Sequence, residues 1–144
     1  MAAALVAPAP AYSQTTTNCM GDPNDVIEDI NPGAAINCTN IFPRTGANGL
    51  EPIDLRTNGD GESVTLDTED LLTATDGVGN TRGIRVRTGG TDSDIDVDSR
   101  GNIDVNANNN GQGIDARVGS GGGGNDSSIT IDNTGRKSVF PAAG

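Results

Sequence analysis

The stretch "IDVDSRGNIDV", residues 95–105, contains two short segments in which apolar and polar side chains alternate. Ile95 and Val97 flank a polar residue, and the same arrangement returns after a short turn at Ile103 and Val105. Such alternation is typical of a half-buried β-strand, because successive side chains of a strand point to opposite faces. The Gly and Asn between the segments are turn formers. The stretch therefore predicts two strands joined by a corner.

The alternating triplets recur from residue 53 onward at a nearly constant interval. They stand as IDL, VTL and LTA at 53, 64 and 72, as IRV, IDV and IDV 31 residues later, and as IDA, ITI and KSV after a further 30 to 34 residues. Seventeen of the eighteen flanking positions are apolar, with Lys137 the exception, which argues against disorder. An antiparallel sandwich also has short alternating strands, but it does not require one fixed offset at all three strand positions.

Three strands per repeat of about 30 residues, in the same order each time, predict an all-β fold of the parallel β-helix (β-solenoid) type. We expect about three coils over residues 53–139, right-handed by the general rule for parallel crossovers. Each coil advances about 4.8 Å, so that like positions stack on like. Residues 14–52 carry turn signals but no recognised triplets, and we expect an irregular N-terminal cap region there, with a tail at 140–144.

The composition limits the classes of function. Nine basic residues stand against twenty acidic ones, giving a net charge of −11. This balance argues against nucleic acid as a partner, because phosphate neutralisation needs clustered Lys and Arg. Low hydrophobicity with this net charge would by itself favour disorder, and the repeat is the observation that opposes it. No run of about 18 apolar residues occurs, so no transmembrane helix is expected.

Residues 1–13 resemble a signal peptide whose beginning is missing. "MAAALVAPAPAYS" has an apolar segment and ends in the small-x-small sequence "AYS" immediately before Gln14. The positively charged start of a signal is absent, since no Lys or Arg precedes Arg44. A start upstream of Met1 would supply it, and the alternative is a disordered Ala/Pro-rich segment. We expect an exported protein.

Cys19 and Cys38 are the only two cysteines of the chain. In an oxidising compartment they are expected to form a disulfide. A metal site would need further ligands, and the chain has no His. Two separate structural thiols are the remaining alternative.

Aspartate stands at every second position from Asp92 to Asp98, which imitates the start of a calcium-binding loop. Val97 occupies the position that requires Gly, and an aliphatic residue stands where the loop needs a bidentate Glu. We therefore predict no resident metal or cofactor. The repeat does place Asp67, Asp98 and Asp132 in one column, which either binds Ca²⁺ weakly, leans on a nearby arginine or is a row of solvated corner residues.

The first strand of each repeat carries two columns of charged residues. One column contains arginine only, and in the other acidic and basic residues alternate, which stabilises the register. The arginine column is either part of a charge-balanced outer face or a contact surface for an acidic polysaccharide or host glycan. The arginine column is Arg56, Arg87 and Arg117, and the alternating column is Asp54, Arg85 and Asp115.

Three features resemble the passenger region of bacterial autotransporters, particularly adhesin-like ones with β-helical passengers. They are the signal-like "ALVAPAPAYSQ", the paired cysteines ending in "CTN" and the coil "NGQGIDARV…SITIDNTG", which together span about residues 1–139. The resemblance lies in composition and period. It implies a longer protein ending in an outer-membrane β-barrel, of which this chain is the N-terminal part or a truncated remnant. It further implies a non-catalytic scaffold or adhesin at the cell surface or in the periplasm of a Gram-negative bacterium.

Two other classes of protein fit the pattern. One is a secreted polysaccharide-active β-helix enzyme, of which the chain would be the non-catalytic start, and the other is a cation-binding secreted repeat protein. We predict no catalytic residue, because the chain has no His and no recognisable nucleophile–base pair. "GSGGGG" also lacks the Lys-Ser/Thr of a phosphate-binding loop. The sequence does not specify a surface ligand.

Overall fold

The computed structural model describes residues 14–16, 19, 26–30, 33–47, 50–76, 80–107, 110–119 and 127–141. Within these ranges thirteen β-strands form three sheets, and neighbouring strands in each sheet are parallel. In the same ranges no helix is of a length and apolarity that would let it cross a membrane. The predicted all-β parallel β-helix is confirmed.

Each sheet collects the strands that occupy the same place in successive coils. The first sheet contains β2 (Ile27–Ile30), β5 (Ile53–Thr57), β8 (Thr81–Thr88) and β11 (Gly111–Val118). The second sheet contains β1 (Gln14–Thr16), β3 (Ala35–Asn40), β6 (Val64–Thr68), β9 (Ile95–Ser99) and β12 (Ile129–Asn133). The third sheet contains β4 (Arg44–Ala47), β7 (Leu72–Asp76), β10 (Ile103–Ala107) and β13 (Lys137–Pro141).

The pairing registers reproduce the repeat read from the sequence. Ile84 of β8 pairs with Ile53 of the preceding coil and with Ile114 of the following one. In the second sheet Val97 pairs with Leu66 and with Ile131. Like positions therefore stack on like along the axis of the β-helix.

The inward positions of the two middle coils form a narrow aliphatic core. The side chains there are branched and no more than 1 % exposed, apart from the small Ala74, which is also buried. Burying such side chains is the main favourable term in the stability of the stack. These core residues are Ile53, Leu55, Val64, Leu66, Leu72, Ala74, Ile84, Val86, Ile95, Val97, Ile103 and Val105.

The N-terminal region is more regular than predicted. Residues 14–52, expected to be an irregular cap, contain β1 to β4, and β2, β3 and β4 pair with the three strands of the next coil. This coil stands ahead of the three predicted from residue 53 onward, so the described residues build four coils. The sequence pattern hides it, because the inward positions of β4 hold Arg44 and Gly46 instead of aliphatic residues.

A disulfide and a buried guanidinium hold the N-terminal end together. Cys19 and Cys38, the predicted pair, are bonded to each other and buried. Arg44, only 2 % exposed, donates from Nη2 to the carbonyl oxygen of Cys19 at 2.6 Å. Its Nε donates to Oδ1 of Asn40 at 2.9 Å. The residue at position 19 is thereby tied to β3 by a covalent bond and to β4 by a hydrogen bond.

The C-terminal coil leaves its apolar positions uncovered. Ile129, Ile131 and Val139 are 44, 45 and 51 % exposed, although they continue the buried columns of the coil before them. The apolar residues of β11 are partly buried against the core. The interior of the β-helix is therefore open at this end of the described residues. The predicted signal segment, residues 1–13, lies outside those residues, as does 142–144 of the predicted tail.

Candidate functional site

The outer surface of the first sheet carries five of the nine basic residues of the chain. They stand on β5, β8 and β11, where outward side chains alternate with the aliphatic residues of the core. Three carboxylates lie among them. We call this surface the arginine face; it consists of Arg56, Arg82, Arg85, Arg87, Arg117, Glu51, Asp54 and Asp115.

Both charged columns predicted from the sequence are present on the arginine face. Strand pairing places the three arginines of one column directly above one another in successive coils, and it places the alternating column beside them. The alternation brings each acidic residue of its column next to a basic neighbour. The columns are Arg56, Arg87 and Arg117, and Asp54, Arg85 and Asp115.

The carboxylates of the arginine face lie below the guanidinium groups. The side chains of Glu51, Asp54 and Asp115 are 8, 7 and 4 % exposed. Arg117, at 57 %, is the most exposed arginine of the face. Solvent, and any ligand arriving from it, therefore meets mainly positive groups.

Asp115 is the centre of the ion-pair network. It accepts hydrogen bonds from Nη2 of Arg87 at 3.0 Å and from Nε of Arg117 at 2.6 Å, and it forms an ion pair with Arg82, whose Nε lies 2.8 Å away. Burial alone would raise the pKa of Asp115, but the hydrogen bonds from Arg87 and Arg117 outweigh it and the pKa lies below its ordinary value. Asp115 is thus a carboxylate at neutral pH, and it links β11 to β8.

The network continues toward β5 through Glu51 and Asp54. Glu51 accepts a hydrogen bond from Nη1 of Arg82 at 3.1 Å and forms an ion pair with Nη2 of Arg85 at 2.8 Å. Asp54 pairs with Arg56 on its own strand and with Arg85 at 3.3 Å. The hydrogen bond from Arg56 to Asp54 is the main reason why the pKa of Arg56 is raised. Glu51 and Arg82 lie outside the sequence triplets, but they are 31 residues apart, so the offset that relates Ile53 to Ile84 also places Arg82 beside Glu51.

Donors exceed acceptors on the arginine face. Five guanidinium groups with five N–H donors each share three carboxylates, and a carboxylate offers about four acceptor sites. The buried Nε atoms of Arg85 and Arg87 have no acceptor among the described residues. Because these two Nε atoms are buried, the donors that an anion could reach are the terminal N–H groups of the more exposed arginines, Arg117 above all.

A cavity of about 550 Å³ lies at the edge of the arginine face. It is at the corner where the chain passes from the third sheet to the first, immediately before β8 and β11. Stacked amides line it: Nδ2 of Asn110 donates to Oδ1 of Asn80 at 3.1 Å, and Nε of Arg82 donates to Oε1 of Gln112 at 3.1 Å. Arg117 is part of the same wall.

The predicted aspartate column is also formed, and a nearby arginine forms ion pairs with two of its members. Asp98 pairs in register with Asp67 and with Asp132. Arg100 forms ion pairs with Asp67, with Glu69 at 2.8 Å and with Asp98 at 3.3 Å. Among the residues that the structure describes, no group of three or more His, Cys, Asp or Glu side chains is arranged to hold a metal ion. Of the three interpretations of this column given above, these contacts favour the one in which the aspartates pair with a nearby arginine.

Comparison with known proteins adds no assignment. No protein-family model, curated protein or solved structure matches the chain. The coil stack, the disulfide and the arginine face are therefore the features that bear on function.

Proposed function

We propose that the chain is the N-terminal part of an exported, surface-displayed β-helical passenger of the autotransporter type, with a non-catalytic scaffold or adhesin role. The observation that carries this proposal is the stack of four parallel coils in register. A stack of this kind is a quasi-one-dimensional rod that lengthens by adding coils. Outward residues can change along it without disturbing the core, which suits a protein that displays binding groups at a distance.

The disulfide supports export. Cys19 and Cys38 are bonded within the first coil, and persistent disulfides are typical of oxidising compartments such as the periplasm and the cell exterior. The signal-like composition of residues 1–13 agrees with this location. The arginine face supports the adhesin role, because it concentrates positive groups on one side of an otherwise acidic protein.

Localisation on intact cells tests the proposal. An antiserum against the purified chain should detect a protein in the source organism that external protease removes without lysis, while a periplasmic marker stays intact. Thiol labelling should find Cys19 and Cys38 oxidised. A reduced protein in the cytosolic fraction, protected from protease, would refute the proposal. In-frame flanking sequence with a Lys/Arg-rich start upstream and a barrel downstream would support it.

The arginine face also favours a second candidate, the non-catalytic start of a secreted enzyme that acts on acidic polysaccharides. Downstream sequence separates the two candidates. A membrane barrel supports the passenger, whereas further coils with clustered Asp and Arg support the enzyme. A cation-binding repeat is tested by circular dichroism with and without millimolar calcium, and an unchanged spectrum and melting temperature would end that idea.

A further inference from the structure

We propose that the cavity bounded by Arg82 and Arg117 binds an acidic sugar residue of a polysaccharide through its carboxylate. The inference rests on the proposed adhesin role and deepens it by naming the ligand class and the site. It is carried by three features of the cavity: an exposed guanidinium with free donors, a surplus of positive charge, and a wall of amides.

Arg117 supplies the free donors. Its Nε is occupied by Asp115 at 2.6 Å, which fixes the direction of the guanidinium. Its two terminal nitrogens form no hydrogen bond or ion pair with the described residues, and the side chain is more than half exposed. The planar edge of a guanidinium matches the two oxygens of a carboxylate. Arg117 is thus held in place at one edge and open to a ligand at the other.

The surrounding charge favours an anion. Five guanidinium groups of the arginine face meet its three carboxylates, which lie underneath, and Glu28 on β2 adds one exposed carboxylate beside Asp54, on the far side of the face from Arg117. An incoming carboxylate therefore approaches the positive layer first. The net charge of −11 belongs to the whole chain, and it acts weakly here because the screening length is about 8 Å at physiological ionic strength.

The amides suit the remainder of a sugar. Asn80, Asn110 and Gln112 each carry both a donor and an acceptor, which is what a row of hydroxyl groups requires. Val139 lines the same cavity. The volume of about 550 Å³ falls in the range of roughly 300–1,000 Å³ that is usual for ligand sites.

Nucleic acid fits the cavity poorly. Single strands are held by aromatic side chains on which bases stack, and aromatics make up 2 % of this chain. The amide wall and the single exposed guanidinium instead match a ligand with many hydroxyls and one charge per unit. An acidic polysaccharide has this chemistry.

The test is a calorimetric titration of the full 144-residue chain with a hyaluronan hexasaccharide, whose only charged groups are glucuronate carboxylates. The same oligosaccharide with its carboxylates methyl-esterified is the matched ligand control. We expect the acid to bind and the ester to bind at least about tenfold more weakly, because the charge-assisted hydrogen bonds are lost. Binding of the acid should also weaken as salt is raised.

Two variants locate the site. Arg117→Gln should weaken binding about tenfold, while Arg136→Gln should bind like the unmodified chain. Arg136 is also exposed, but it lies at the corner between the second and third sheets. Matching circular dichroism spectra and melting temperatures for both variants ensure that folding is not the cause.

Several outcomes would overturn the site. They are an ester that binds as tightly as the acid, an Arg117→Gln variant that binds like the unmodified chain, and equal weakening by Arg136→Gln. Binding of sulfated dextran without binding of hyaluronan would also overturn it. The test is independent of localisation: a chain that binds but stays in the cytosol refutes the proposed function, and a displayed chain that does not bind refutes the site.

Discussion

Equivalent apolar positions differ in burial between the middle of the coil stack and its C-terminal end. Val97 and Ile131 are paired in register on neighbouring strands of the second sheet. Val97 is completely buried, because coils lie on both sides of it, whereas Ile131 is exposed in the last described coil. Both residues are β-branched and both sit in the same triplet pattern. Burial in a β-helix is therefore decided by the neighbouring coil and not by the strand alone.

The N-terminal end is closed by polar and covalent contacts. Cys38 of the disulfide and the buried Arg44 stand at inward positions of the first coil, where the next coil has Leu66 and Leu72. A buried guanidinium is tolerated only where its donors find acceptors, and here Asn40 and the carbonyl of Cys19 provide them. At the C-terminal end aliphatic side chains remain uncovered, and Asp115 fastens the last coil from the outside.

The largest effect is expected from introducing a carboxylate at a buried position, compared with the exposed position next to it in the same column. Val97→Asp should destabilise the chain by at least about 4 kcal/mol or abolish folding, because it buries an unpaired carboxylate. Ile131→Asp should cost less than about 1 kcal/mol, because its side chain is exposed. Urea denaturation followed by circular dichroism measures both. Equal losses would contradict the difference between the ends.

The disulfide is expected to give the next largest effect. Replacing both Cys19 and Cys38 by Ser should lower the free energy of unfolding by about 3 kcal/mol, since a bond across a separation of 19 residues restricts the unfolded chain. Chemical reduction of the unmodified protein should lower the free energy of unfolding by a similar amount, seen as a lower urea midpoint. A midpoint that moves in neither case would show that the closed end does not depend on the covalent bond.

Arg44→Ala is expected to cost about 2 kcal/mol, because it leaves the buried Oδ1 of Asn40 without the donor that it has now. The loss should be smaller by about 1 kcal/mol in the Cys19→Ser/Cys38→Ser background, since both changes release the same segment. A double-mutant cycle of urea unfolding measures the coupling. Strict additivity would mean that the guanidinium and the disulfide hold the end independently.

The smallest effect concerns the open end and depends on pH. The pKa of Asp115 is lowered in the folded protein, so its contribution to stability is complete above the unfolded pKa of about 4 and is lost as pH falls through the lower folded value. Asp115→Asn should therefore cost about 1 kcal/mol at neutral pH, and the difference from the unmodified chain should shrink below about pH 4. Urea unfolding at pH 7 and at pH 3 measures it.

Asp132→Asn is the matched control, because Asp132 is in the same coil but exposed. It should leave stability nearly unchanged at both pH values. A deficit of Asp115→Asn that is as large at pH 3 as at pH 7 would contradict the proposed role of the Asp115 ion pairs.

The regular part of the fold could be predicted from the sequence because a repeat expresses the same physical requirement several times. Aliphatic residues at both ends of each triplet, at nearly constant offsets, leave one arrangement in which all of them are buried together. The register followed from the same offsets, and with it the columns of Arg87 and Asp98. The disulfide pair followed from the number of cysteines.

The first coil and part of the arginine face could not be predicted, for a different reason. Arg44 is accommodated at an inward position by acceptors that include Asn40 and the carbonyl of Cys19, and contacts made in one coil only leave no periodic trace. Glu51 and Arg82 also stand one repeat apart, but they lie outside the apolar triplets, so the pattern of triplets alone does not include them. Periodicity reports what every coil shares, and it is silent on what one coil does differently.

Spin labels placed one per coil test the in-register stack most directly. Asn37, Thr65, Asp96 and Thr130 are exposed, and each pairs with the next in the second sheet. Nitroxides at Thr65 and Asp96, which lie about 4.8 Å apart at the backbone, should give a strongly broadened continuous-wave spectrum. The same should hold for the other two adjacent pairs, while Thr65 with Asn106, on a different sheet, should be broadened much less. Narrow spectra for the adjacent pairs would contradict the four-coil stack.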